Sequence, residues 1–187
     1  RLCSMLFQAV SKSNHFKDLQ VFYFHNCIYS KIYTDPQLRP KSVIPTEWIL
    51  KNLSSEYKVI IVGDAQMEPS ELLDPSYYNY GARDNITGIE WLTRFREKYP
   101  HLVWLNPSER PYWGGWWAKT YDIIRKDFDM YDLSIDGLNA ALKKLMVNGK
   151  AKQRDNIPFV SQRIMGNRIN YFGGSYEIHH AKKNKTA

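Results

Sequence analysis

Long apolar runs are missing from this 187-residue chain. None approaches the roughly 18 residues that a membrane-spanning helix needs. The opening Arg1-Leu-Cys-Ser-Met-Leu-Phe7 also lacks the basic, apolar and small-residue order of a secretory signal. A soluble, cytoplasmic protein is the expectation. Cysteine is scarce: Cys3 and Cys27 are the only two, and no metal-ligand spacing links them. That argues against a disulfide framework and against thiol redox chemistry, and predicts two reduced, buried thiols. No internal repeat is visible, and with 43% apolar residues a single well-buried core is the default.

The charge is present but uneven. Residues 147–187 carry eight Lys/Arg against Asp155 and Glu177, which accounts for six of the seven net positive charges. Such a tail reads either as a phosphate-binding arm or as a solvated terminus. At the other end, Leu2, Leu6, Ala9 and Val10 share a helical face over residues 1–13 with no capping residue ahead of them. The start of the domain is therefore expected upstream of Arg1.

Between these ends, Leu19–Phe24 and Cys27–Tyr33 are rich in strand formers and predict a hairpin-like pair. His25 falls in its turn and reads as a satisfied turn histidine, with no third partner for a zinc site or a Cys-His dyad. A loop with Pro36 and Pro40 leads to a helix begun by Thr46, with Trp48, Ile49 and Leu53 as its apolar stripe. Val59–Val62 is a short continuous apolar run, the mark of a strand buried on both faces of a parallel sheet. Residues 68–87 read as a surface loop with Tyr77, Tyr78 and Tyr80. A helix follows from Gly88 to Lys98, then a strand over 101–105. Further helices are predicted over 118–126 and 135–146. Strands alternating with helices require crossover connections and give an α/β fold with a mainly parallel sheet.

In such sheets ligands gather at the carboxyl ends of the strands, and Asp64 stands at one of them. Its carboxylate can be a metal ligand, a phosphoryl-transfer nucleophile, or a cap for the following loop. Thr46 opens the helix that leads into the Asp64 strand, so its hydroxyl and that carboxylate could converge. Hard oxygen ligands of this kind suit magnesium. Tyr112, Trp113, Trp116 and Trp117 around Gly114-Gly115 either pack over the sheet end or form a partner surface. Tyr78, Tyr112 and Trp113 are the candidate partner contacts.

Several motifs, in order, then resemble one family: Phe22-Tyr-Phe-His-Asn-Cys-Ile-Tyr29, Pro45-Thr-Glu-Trp48, Tyr57-Lys-Val-Ile-Ile-Val-Gly-Asp-Ala-Gln-Met67, Tyr99-Pro-His-Leu-Val-Trp-Leu-Asn-Pro107, Pro111-Tyr-Trp113 and Ser134-Ile-Asp-Gly-Leu138. Together with the opening Arg1–Phe7 they resemble CoxE-like proteins of the von Willebrand factor type A (VWA) superfamily over residues 1–146. Residues 147–187 form a basic extension without such resemblance. The resemblance implies a Rossmann-like three-layer fold with a metal-ion-dependent adhesion site, where magnesium is completed by a partner carboxylate. It implies an adaptor without catalysis of its own, working with a MoxR-type AAA+ ATPase in the maturation of a client metalloenzyme. Thr46 and Asp64 match two of the three pieces of that metal site. The third, a DxSxS-type loop after the first strand, is absent, and with it the first central strand.

That strand would lie between the segments at about 19–25 and 58–63. Its absence leaves a slot flanked by backbone groups that each cost on the order of 1–3 kcal/mol when buried unpaired. Arg168-Ile-Asn-Tyr-Phe-Gly-Gly-Ser175 is a candidate filler, with Tyr171 in place of the aspartate. The rival functions are a metal-dependent phosphohydrolase using Asp64, and nucleic-acid binding through the basic tail.

Overall fold

The computed structural model of the protein describes residues 18–75, 86–109 and 115–146. The helix expected over 1–13, the basic extension, its candidate filler strand, and Cys3, Tyr78, Tyr112 and Trp113 lie outside the described residues.

The architecture is mixed α/β. A small antiparallel pair, β1 (Lys31–Tyr33) and β2 (Val43–Pro45), sets Ile32 opposite Ile44. Helix α1 (Thr46–Asn52) follows at once. The main sheet has three parallel strands in the order β3 (Val59–Val62), β4 (Leu102–Asn106) and β5 (Met130–Asp132). Between β3 and β4 run the short helix α2 (Pro69–Leu73) and α3 (Gly88–Lys98). Helix α4 (Trp116–Asp127) joins β4 to β5, and α5 (Ile135–Met146) follows β5.

Side-chain alternation explains the layering. Leu102 and Trp104 of β4 share a core with Ile89, Leu92 and Phe95 of α3 and with Ile124 of α4. Val103 and Leu105 point the other way and pack with Ala141 and Leu145 of α5. Helices α3 and α4 thus cover one face of the sheet and α5 the other. All five residues of β4 are buried, as befits a central strand. Burying each large side chain there contributes about 1.5–3 kcal/mol. Across helices, Arg94 of α3 reaches Glu47 of α1 at 2.6 Å and stacks 4.7 Å over Trp91.

Strand β3 departs from expectation. Of Val59–Val62 only Ile61 is fully buried, because β3 has a strand neighbour on one side only among the described residues. Its other edge lines a cavity of about 540 Å³, whose opposite wall is the segment Gln20–Phe24. The cavity lies where an empty slot was expected.

Other differences are local. The hairpin expected over residues 19–33 is reduced to a single bridge between Tyr23 and Tyr33, because β1 takes β2 as its main partner. His25 and Cys27 flank Asn26 in a tight turn, with the Cys27 amide donating to the His25 carbonyl at 2.6 Å and Asn26 at φ 55°. The expected 68–87 loop begins with α2 instead. Pro69 sits in its first turn, and Glu68 and Glu71 form a reciprocal capping box that satisfies two otherwise orphaned amides.

Candidate functional site

The carboxyl ends of β3, β4 and β5 form one row, with Asn106 in register with Asp132. The end of β3 is held from β4. The Trp104 indole donates to the Gly63 carbonyl at 2.6 Å, and the Asn106 amide donates to the Asp64 carbonyl at 2.9 Å. Both donors are buried. Beyond Asp64 the chain turns sharply through Ala65, a non-glycine residue at φ 57°. This left-handed conformation costs about 1–2 kcal/mol and persists only where the surroundings fix it. Here they do: Thr120 donates to the Met67 carbonyl at 2.8 Å, and the Gln66 side chain donates to the Glu109 carbonyl at 3.1 Å.

Asp64 itself is exposed at the head of this fixed turn. Its Oδ1 accepts the Gln66 amide at 3.1 Å, a local side-chain-to-backbone turn. The loop-cap role weighed from the sequence is therefore part of the geometry. It occupies one carboxylate oxygen and leaves the other facing solvent.

Thr46 is differently placed. It is fully buried as the first residue of α1, with Pro45 as the preceding cap position and no side-chain cap bond. Its hydroxyl donates to the Tyr29 carbonyl, and its amide donates to the Ser30 carbonyl at 2.9 Å. Those bonds tie α1 to the chain entering β1. As potential magnesium ligands the two residues differ in the same way: the Asp64 carboxylate fits a hard cation, while the Thr46 hydroxyl is enclosed and engaged.

Asn106, the polar group at the neighbouring strand end, is occupied by scaffolding. It is 2% exposed, its amide holds Asp64, and its Oδ1 accepts the Ser108 amide at 2.8 Å. The sequence reading missed Asp132, an exposed carboxylate ending β5. A three-residue strand carries too little periodicity to be seen, although the Asp-Leu-Ser-Ile step into α5 marks its end. Two strand spacings separate Asp132 from the end of β3, about 10 Å between backbones. No group of three or more His, Cys, Asp or Glu able to hold a metal occurs among the described residues.

Cys27 is free and 2% exposed, and burial pushes its thiol up to about 12. It is an inert core thiol, as expected. Among the described aromatics, Trp117 is 53% exposed at the start of α4, and Trp48 of the expected α1 stripe is 46% exposed while Ile49 is buried. No helix among the described residues is long and apolar enough to cross a membrane. No protein-family model, curated protein or solved structure matches the chain.

Proposed function

We propose that this chain is a protein-binding adaptor of the CoxE-like VWA type, which engages an acidic partner at the carboxyl end of β3. The observation that carries the reading is Asp64: an exposed carboxylate with one oxygen free for a ligand, on a strained turn immobilised by buried donors from β4. A rigid, outward-facing oxygen suits recognition, since little ordering entropy is lost on binding. Magnesium between Asp64 and a partner carboxylate is the chemistry that the family resemblance implies. Thr46 then acts through structure, anchoring α1. The partners proposed on the same resemblance are a MoxR-type AAA+ ATPase and its metalloenzyme client, with the Trp117 side of the strand ends as rim.

The phosphohydrolase reading is weaker on this geometry. It needs a second acid, base or cation beside Asp64, and the adjacent strand end offers Asn106, whose amide and carbonyl are both engaged. Calorimetric titration with magnesium tests the site. Weak heats in the intact chain that vanish in Asp64→Ala are expected, and identical heats in both proteins contradict the reading. Release of phosphate from a generic phosphomonoester, lost in Asp64→Ala, would move the assignment to the enzyme.

A further inference from the structure

We infer that Gln66 is a positioning residue for Asp64, the link through which the loop leaving β4 sets the aim of that carboxylate. This role rests on the reading of Asp64 as the group that meets a ligand, and adds how that group is governed.

Four hydrogen bonds close a ring between the exits of β3 and β4. The Gln66 amide donates to Asp64 Oδ1 at 3.1 Å, and the Gln66 side chain donates to the Glu109 carbonyl, also at 3.1 Å. One residue back along the chain, the Ser108 amide donates to Asn106 Oδ1 at 2.8 Å, and the Asn106 side-chain amide returns to the Asp64 carbonyl at 2.9 Å. Residues 106–109 therefore reach Asp64 twice. One route ends on its carbonyl through Asn106, the other on its carboxylate through Gln66.

The two routes differ in stiffness. Asn106 is buried in the sheet, and its carbonyl accepts the Leu133 amide from the exit of β5 at 2.7 Å, so it is held from both sides. Gln66 is half-buried, and its tether ends on Glu109, which is exposed. Hydrogen bonds that reach solvent open first. Between Asp64 and Gln66 stands Ala65 in the left-handed region, a conformation that a non-glycine residue keeps only where its surroundings hold it. Beyond Gln66 the Met67 carbonyl is pinned by Thr120. Among the described hydrogen bonds, Gln66 itself is left with two supports, the Asp64 carboxylate and the Glu109 carbonyl. When the 107–109 segment shifts it draws Gln66 along, the amide leaves Oδ1, and the carboxylate is free to turn. Linkage runs both ways, so a ligand that fixes the Asp64 carboxylate also fixes Glu109.

The test compares the full chain with Gln66→Met, which keeps the side-chain length and the backbone amide but removes the donor, and with Gln66→Glu, which sets an acceptor against the Glu109 carbonyl. Thermal midpoints equal to that of the intact chain show that both variants keep the fold. In chelator-containing buffer, solvent exchange of the residue 66 amide is followed by NMR. It is expected to quicken about three- to tenfold in Gln66→Met, as for the loss of one hydrogen bond, and further in Gln66→Glu, while the Ile61 amide in β3 is unchanged. Magnesium alone is then titrated. The Glu109 carbonyl carbon resonance is expected to shift in the intact chain and to hold still in Gln66→Met. Unchanged exchange at residue 66 in both variants overturns the positioning role, and so does an equal Glu109 shift in the intact chain and Gln66→Met. Magnesium that shifts no resonance in any of the three proteins retires the metal reading of Asp64 instead, and the metal-free exchange then decides the positioning role by itself.

Discussion

Cys27 and Gly88 meet where α3 begins. A Cβ on Gly88 would lie 2.9 Å from the Cys27 Sγ, 3.0 Å from the Glu71 carbonyl oxygen and 3.4 Å from the Leu72 Cα. Two of these neighbours are backbone and cannot swing aside, so Gly88→Ala overpacks the junction of α2, α3 and the Cys27 turn. A destabilisation of about 1–3 kcal/mol is expected, read as a lower urea midpoint. Cys27 gives a pH prediction at the same spot. Its thiol ordinarily titrates near 9.0 and is pushed up to about 12 by burial. Between those values the unfolded chain has released the proton and the folded chain has not, so stability falls as pH rises through this window and is unaffected below it. Urea midpoints at about pH 8 and about pH 10.5 check this. The intact chain loses more stability across that interval than Cys27→Ala, which lacks the group. An equal loss in both proteins would show the thiol to be solvated.

At the scale of elements, α3 was the most legible part of the sequence. Its expected span, Gly88 to Lys98, is the observed one. Thr87 accepts the Glu90 amide at 3.2 Å and Glu90 accepts the Thr87 amide at 2.7 Å, a capping box written in four consecutive residues. Thr87→Ala removes half of it and is expected to cost about 1 kcal/mol, measurable as a lower thermal midpoint. Strand β4 was nearly as clear, because five apolar or amide residues between Pro100 and Pro107 leave little alternative. Strands β2 and β5 were not legible. Three residues each, they hold their conformation through their partners, β1 and β4, and a partner is information that no local window contains. Helix α2 was missed for a different reason. Its tyrosine-rich continuation masked a capping box made of two glutamates, where the sequence pattern most often sought begins with serine or threonine. Thr46 was legible as a helix start, while its task was not. The hydroxyl bonds outward to Tyr29 rather than to its own helix.

At the scale of the molecule, a parallel sheet with helices on both faces brings Asp64, Asn106 and Asp132 to one edge of the fold. Asp64 was visible in the sequence because an apolar run ends abruptly on a carboxylate. What holds it was not visible, because Trp104 and Asn106 lie some forty residues away in the chain and act through single hydrogen bonds. The basic tail bears on the competing nucleic-acid reading. Deleting residues 147–187 is expected to leave partner affinity within about threefold and only a shallow salt dependence, whereas loss of a steep one would assign binding to the tail. The most direct test of the adaptor reading measures affinity for a MoxR-type AAA+ ATPase in magnesium buffer, comparing the intact chain, Asp64→Ala and a surface control at the exposed Glu56, Glu56→Ala. The account predicts binding that weakens at least about tenfold in Asp64→Ala alone. Equal affinity across the three proteins would contradict it.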